Sequence, residues 1–455
     1  MNSRIFTSPA QLVRHAAMVM TFSGASLCLP AMAAEGAATA FDPSTVTPKL
    51  TELINQMYPE LNSLYEDLHA NPELGFQETR TAAKLAAEMR KLGFEVTEGV
   101  GKTGVVAMLR NGAGPTIMVR TELDALPMEE KTGLPYASKA KANYLGKETF
   151  VAHSCGHDIH MASWIGTART LSAMKDQWKG TLMFIAQPSE ETVTGAKAML
   201  DDGLFKRFGK PDHAFALHTS AMPYGTVGYL SGPTTSNSDG LDIHFHGRGG
   251  HGSAPDKSID PIVMASKFVV DVQTVVSREK NPMEFGVVTV GSFNAGTAGN
   301  IIPDQAHVTG TIRSYSQDVR RRLHEGIERT AKAQAAMAGA PAPDIKLITG
   351  TDAVVNDDKV VQRTVQMLKT AMGDNNVVPT SPITASEDFS AYVNQGVPSM
   401  FFSLGIYDPK QIAAASQPGG KPLPFNHSPF FAPVPEPTIK TGVKAMTLTV
   451  INAMR

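Results

Sequence analysis

Cysteine is nearly absent: the 455 residues hold only Cys28 and Cys155. Once the N-terminal segment discussed below is removed, Cys155 stands alone and no internal disulfide can form. A lone thiol in an oxidising compartment is lost to oxidation unless it is buried and inert or held as a ligand. An excess of one charge is lacking too. With 41 basic and 43 acidic residues the net charge is -2, at a sequence pI near 6.7. That leaves no basic field for a phosphate backbone and argues against nucleic acid as a partner. Beyond the N-terminus no stretch reaches the roughly 18 uninterrupted apolar residues of a membrane span. Internal repeats and long low-complexity segments are absent. There is no His-Glu-x-x-His, which argues against a zincin, and no Pro-Cys-x-x-Cys, which argues against a single-metal deaminase.

What is present begins with a leader. Arg4 and Arg14 precede the weakly apolar run "AAMVMTFSGASLCLP", which ends in "AMA", a small-x-small cleavage pattern at Ala31 and Ala33. Residues 1–34 read as a secretory signal peptide and 35–50 as a flexible leader, so a secreted or periplasmic protein without a membrane anchor is expected. A lipid anchor on Cys28 is the rival reading, opposed by the bulky Leu27 before it.

Apolar runs such as "GTLMFIAQ" and "DHAFALHT" are continuous, as in strands covered on both faces, and they interleave with helical patterns such as "TAAKLAAEMRKLGF" and "MASWIGTARTLSAM". An α/β layered domain follows. Near residue 236 the pattern changes: Leu241, Ile243 and Phe245 alternate with Asp242, His244 and His246, a sheet with one face in water. The order β-α-β-β-α-β from there to about 350 is a split βαβ, ferredoxin-like α+β arrangement. The division expected is an α/β domain over 51–235 and 351–455, with the smaller unit, 236–350, inserted.

The stretch "HSCGHDIHMASW", residues 153–164, concentrates metal-binding side chains. Cys155 and His157 would diverge on a helix or strand, but Gly156 permits a turn that aims both at one point. Asp158 is then available to cap the next helix. Thiolate plus imidazole suits zinc, yet two ligands do not close a site. Glu190 and Glu191 in "QPSEET" follow a buried strand, and His218 ends another. Paired acids there are commonly a solvated loop, although ligands of α/β sheets collect beyond the carboxyl ends of strands. His427, in "NHSPFF", is a fifth candidate whose role spacing alone does not give. Its sequon at Asn426 offers a competing glycosylation reading.

Together "LHANPELGFQET", "GVGKTGVVAML", "RTELDALPMEEKTGLPYAS", "SCGHDIHMA", "FIAQPSEE", "GRGGHGS", "GTAGNIIPD", "SEDF" and "HSPFF" occur in an order that resembles the M20 family of metallopeptidases. The resemblance is to the amidohydrolase branch with aminoacylases, hippurate hydrolases and auxin-conjugate hydrolases, and it runs from about Leu64 to the C-terminus. It implies a two-domain, zinc-peptidase-like fold whose inserted domain is a lid and dimerisation surface, hence a homodimer. It implies two divalent ions, with zinc foremost and manganese, cobalt or nickel as alternatives, held by Cys155, His157, Glu191, His218 and His427, with His157 shared. Glu190 becomes the general base and Asp124 the acid that orients the ligands. His251 becomes the oxyanion stabiliser, frequently across a dimer interface, and Asn300 and Arg313 hold the substrate carboxylate.

Each assignment has a plainer reading. Asp124 could be a turn residue, "GRGGHG" a flexible loop, Arg313 a solvated charge and "SEDF" a helix start. His160 is expected behind the metals, while His153 varies within the family. His244 and His246 are expected at the surface. Two features depart from the family: Glu122 stands where aspartate is usual, and the segments before Cys155 and His427 are longer. The function implied is cleavage of the amide of an N-acyl amino acid or small peptide with a free carboxylate. The rival is a binding protein of the same fold that captures acylated amino acids without cleaving them.

Overall fold

The computed structural model describes residues 41–455. The expected signal peptide lies outside them, as does the first part of the leader. The rest of that leader is folded rather than flexible. Asp42 caps a short 3-10 turn, Val46 and Leu50 are buried, and the first long helix, Thr47–Ala70, has begun.

The larger sheet has eight strands in the order Glu95–Val100, Gly104–Asn111, Gly180–Gln187, Thr116–Glu122, His213–Pro223, Ser399–Tyr407, Val227–Tyr229, Val377–Pro379. Its four middle strands, from Gly180–Gln187 to Ser399–Tyr407, run parallel. Both faces are covered. Leu182 and Phe184 join a core with Leu61, Trp164 and Val443 of the helices on one side, and Met183 and Ile185 join Met199, Phe389 and Phe401 on the other. Side chains alternate faces along a strand, so a run that must be apolar on both faces loses its alternation. The helix His157–Ala173 is buried all round from His157 to Ala168, as expected for an element packed on every side.

The smaller sheet is antiparallel, in the order Gly286–Ala295, Gln305–Ser314, Asp239–His246, Asp344–Thr349. Helices Pro261–Thr274 and Gln317–Met337 cover one face, where Leu241, Ile243 and Phe245 share a separate buried cluster with Phe268 and Leu323. The chain leaves the larger sheet and returns to it through two paired segments, Gly232–Pro233 and Val355–Asn356. No helix among the described residues is long and apolar enough to cross a membrane.

Asp158 does not cap its helix. Gly156, at φ +89°, takes the cap position two residues earlier, and the Asp158 carboxylate instead meets His69 Nδ1 at 2.6 Å. The other ring nitrogen of His69 lies 3.1 Å from Glu130, so one buried imidazole joins three segments.

Candidate functional site

The chemistry-bearing side chains gather beyond the carboxyl ends of the parallel strands, where α/β sheets leave a crevice. Thr116–Glu122 delivers Glu122 and Asp124, Gly180–Gln187 is followed by Glu190 and Glu191, and His213–Pro223 carries His218. The turn after Gln187 is strained, with Ser189 at φ +50°. It is fixed by two carboxylates, since Ser189 N donates to Glu78 at 2.8 Å and Glu191 N donates to Asp124 Oδ2 at 2.9 Å. Gly156 earns its place as well: a Cβ there would sit 2.6 Å from Thr219 Oγ1.

His157 and His218 are oriented alike. Nδ1 of His157 donates to the Asp124 carbonyl at 2.7 Å, and Nδ1 of His218 donates to the Thr219 carbonyl at 2.9 Å. A carbonyl can only accept, so in each ring Nε2 is the nitrogen left to face the other donors. His218 Nε2 lies 3.4 Å from Cys155 Sγ, and His157 Nε2 lies 3.7 Å from Glu190 and 3.9 Å from Glu191. His427 Nε2 closes the ring 3.3 Å from the other Glu191 oxygen. The ligand atoms of Cys155, His157 and His218 lie within 4.8 Å of one another, as do those of Cys155, Glu191 and His427, and those of His157, Glu190 and Glu191. His427 is held at φ +69° with its N–H on the Ser154 carbonyl at 2.7 Å.

These residues fit metal ions on their own chemistry. Two buried atoms that face the cluster, His157 Nε2 and Glu191 Oε1, have no hydrogen-bond partner. Such orphans are rare because each costs the free energy of a lost hydrogen bond. The charge balance agrees. Burial opposes a proton on His157, yet the hydrogen bond to Asp124 and the charge of Glu122 carry its pKa up to about 10. Burial and the neighbouring Glu387, Glu191 and Asp388 push Glu190 well above the usual carboxylate range. Burial and Glu191 raise the Cys155 thiol. A pocket with this surplus of negative charge asks for cations, and soft sulfur, imidazole and carboxylate are donors that divalent transition metals accept.

Behind the cluster lies a network that sequence reasoning missed. Arg120, fully buried, pairs with Glu122, with Glu387 at 2.8 Å and Asp388 at 3.1 Å, and donates to Gln187 at 3.0 Å. The second oxygen of Glu122 meets His160 Nδ1 at 2.9 Å, and His160 Nε2 accepts from Thr219 N at 2.9 Å. His160 therefore sits behind the metal cluster as expected, its pKa carried down to about 4 by burial. The longer carboxylate of Glu122 spans from Arg120 to His160. The "SEDF" acids do start a turn, with Glu387 accepting from Phe389 N at 2.9 Å, but the same carboxylate clasps Arg120.

A cavity of ≈ 200 Å³ opens over the cluster, with Cys155, Glu190, Glu191, His218 and His427 on one side and Phe401, Phe425 and Ile383 on another. Asn426 lines it and donates to the Cys155 carbonyl at 3.0 Å, which opposes the glycosylation reading. Arg313 reaches its wall, donating to Ser386 at 2.9 Å. His251 and Asn300 do not: both are exposed, near the short pair Gly250–His251 and Ile301–Ile302, and neither lines the cavity within one chain.

Comparison with known proteins agrees with this geometry. Residues 118–448 match the description of peptidase family M20/M25/M40. The hippurate hydrolase of Campylobacter jejuni is 40% identical over 340 residues, covering 73% of this chain and 85% of the relative. Thermostable carboxypeptidase 2 of Saccharolobus solfataricus is 34% identical, covering 89% and 98%. Among solved structures, a putative aminohydrolase from methicillin-resistant Staphylococcus aureus superposes with a TM-score of 0.81 at 30% identity, covering 90% and 100%. A Bacillus subtilis protein described as a dinuclear metal binding peptidase of the M20 family superposes with a TM-score of 0.72 at 29% identity, covering 88% and 99%.

Proposed function

The chain belongs to peptidase family M20/M25/M40, and on that footing we propose that it is an exported, dinuclear zinc amidohydrolase acting on N-acyl amino acids or small peptides with a free carboxylate. The observation that carries this reading is the ring of Cys155, His157, Glu190, Glu191, His218 and His427, with His157 Nε2 and Glu191 Oε1 left buried and unpartnered within it. Cys155, His157, Glu191, His218 and His427 would hold the ions; because Nδ1 of His157 is committed to the Asp124 carbonyl, its one free nitrogen serves a single ion, so His157 is not the shared ligand that the resemblance implies. Bound there, the ions would polarise the amide carbonyl and ease loss of a proton from water.

Glu190 then has the role its surroundings fit. Its high proton affinity lets the carboxylate take the proton of the attacking water and return it to the leaving amine. Asp124 fixes two partners at once, the His157 ring through its carbonyl and the Glu190–Glu191 turn through its carboxylate. Phe401, Phe425 and Ile383 offer an apolar wall to the acyl group, and Arg313 a planar fork to the carboxylate. His251 and Asn300 would enter the cavity of the other subunit in a homodimer, His251 steadying the oxyanion. The smaller sheet has features that suit such a dimer: a free edge at Gly286–Ala295, and exposed Val263, Val270 and Phe293.

The test is a panel of N-acyl amino acids and dipeptides incubated with zinc-loaded protein. Hydrolysis of at least one member, abolished in Glu190→Gln while both ions are retained, is expected. Binding without any hydrolysis would favour the capture protein instead.

A further inference from the structure

The smaller sheet carries a second group of metal-ligating side chains, far in sequence from the catalytic donors. On Asp239–His246 the odd-numbered Leu241, Ile243 and Phe245 are buried under the helices, so Asp242, His244 and His246 stand on the opposite face. On Gln305–Ser314, Ala306 and Val308 are buried likewise, and His307 stands beside His244, its direct cross-strand partner.

The two imidazoles stack, with centroids 3.9 Å apart and planes 8° from parallel. Their Nε2 atoms converge on one oxygen: Asp242 Oδ1 is 3.0 Å from His307 Nε2 and 3.4 Å from His244 Nε2. A tetrahedral zinc with bonds of about 2.0–2.1 Å separates its ligand atoms by about 3.3 Å; each imidazole nitrogen stands at about that spacing from Asp242 Oδ1, and the three atoms lie within 4.8 Å of one another. Their side chains are 32–39% exposed, accessible to an ion without being loose in solvent. Asp344, the cross-strand partner of His244 on the other side, is bonded to His246 Nε2 at 2.8 Å and puts a further carboxylate on this face. Lys346 faces Asp242 in register, yet among the described residues it forms no ion pair with it.

The geometry points to a divalent transition-metal site on the outer face of the smaller sheet, with His244, His307 and Asp242 as ligands and water completing the shell. Its N₂O donor set suits zinc or copper(II) over calcium or magnesium, because imidazole is too soft a donor for the hard cations. Two adjacent strands hold the ligands in register, so binding asks only that the two rings turn out of their stack. The site stands on its own residues and needs no assumption about the catalytic reaction.

Equilibrium dialysis of the full chain against zinc, after the catalytic centre has been filled, reads the proposal directly. Wild type is expected to take up one further equivalent. In His244→Asn/His307→Asn that equivalent binds at least about tenfold more weakly, with amide hydrolysis and the earlier zinc unchanged. Asp242→Asn, a single change on the same face, gives a second reading, an intermediate loss, should the double variant fold poorly. Circular dichroism checks both variants, and an anomalous peak at the zinc edge locates the ion. Retention of the extra equivalent by both variants overturns the proposal. So does its absence from wild type, the outcome expected if Asp242 merely shares protons with the two rings.

Discussion

Replacing Arg120 by methionine removes the single cation that three buried carboxylates share, while leaving every expected metal ligand in place. The guanidinium is fully buried and serves Glu122, Glu387 and Asp388 together with the Gln187 side-chain oxygen. Breaking a buried pair by removing one partner costs about 3–5 kcal/mol, because the stranded charge stays out of water. Here Glu122 keeps His160, whereas Glu387 and Asp388 lose the only cation paired with them among the described residues, so the upper part of that range is expected. Unfolding entropy is about 2.1 cal/mol/K per residue, hence about 0.9 kcal/mol/K for the folded residues 41–455, and a loss of about 4–5 kcal/mol converts to a fall in Tm of about 5–6 °C. Differential scanning calorimetry of matched metal-loaded samples measures it. A second variant sharpens the test. Arg120→Met combined with Glu387→Gln and Asp388→Asn removes the uncompensated charges, so it should be more stable than Arg120→Met alone even though it carries more substitutions. If Arg120→Met leaves Tm within about 1 °C, or if the added changes lower it further in additive fashion, the network is not held together as described.

Two other perturbations read separate parts of the molecule. Burial opposes a charge on His69, but hydrogen bonds to Asp158 and Glu130 outweigh it and raise its pKa from 6.5 to about 10. A raised histidine pKa contributes stability that is whole below pH 6.5 and is lost as pH climbs through about 10. Wild type should therefore lose stability across that window, and His69→Asn should show a flatter alkaline limb; parallel curves would contradict the assignment. Cys155→Ser should lower the metal content measured by mass spectrometry after dialysis, since oxygen replaces a soft thiolate donor; undiminished content of both ions would show that sulfur is dispensable.

The donors were legible in the sequence because they belong to residue types with few other uses in such density. Glu190, Glu191 and His218 also sit at the ends of runs whose lack of alternation announces covered strands. The core of the smaller unit was equally readable, since a sheet with one wet face leaves a period of two in Leu241, Ile243 and Phe245. Arg120 was not readable: inside "PTIMVR" it looks like a charge at a strand end, and two of its three acids lie more than 260 residues on. The same holds for Asp158, whose position suggests a helix cap until a left-handed Gly156 moves the helix start and frees the carboxylate for His69. His244 and His307 each look like a surface residue, and only strand register sets them side by side. His251 and Asn300 came from resemblance alone, and a single chain does not bring them to the cavity.

The central claim is that scattered donors clasp two cations in one pocket. Anomalous diffraction from crystals of the zinc-loaded protein, recorded at the zinc edge, tests it most directly. Two peaks are predicted in the cavity, one bonded to Cys155 or His218, one to Glu191 or His427, with Nε2 of His157 on one of them. A single peak there, or ions bound with the Cys155 sulfur and the His427 ring pointing elsewhere, would contradict it.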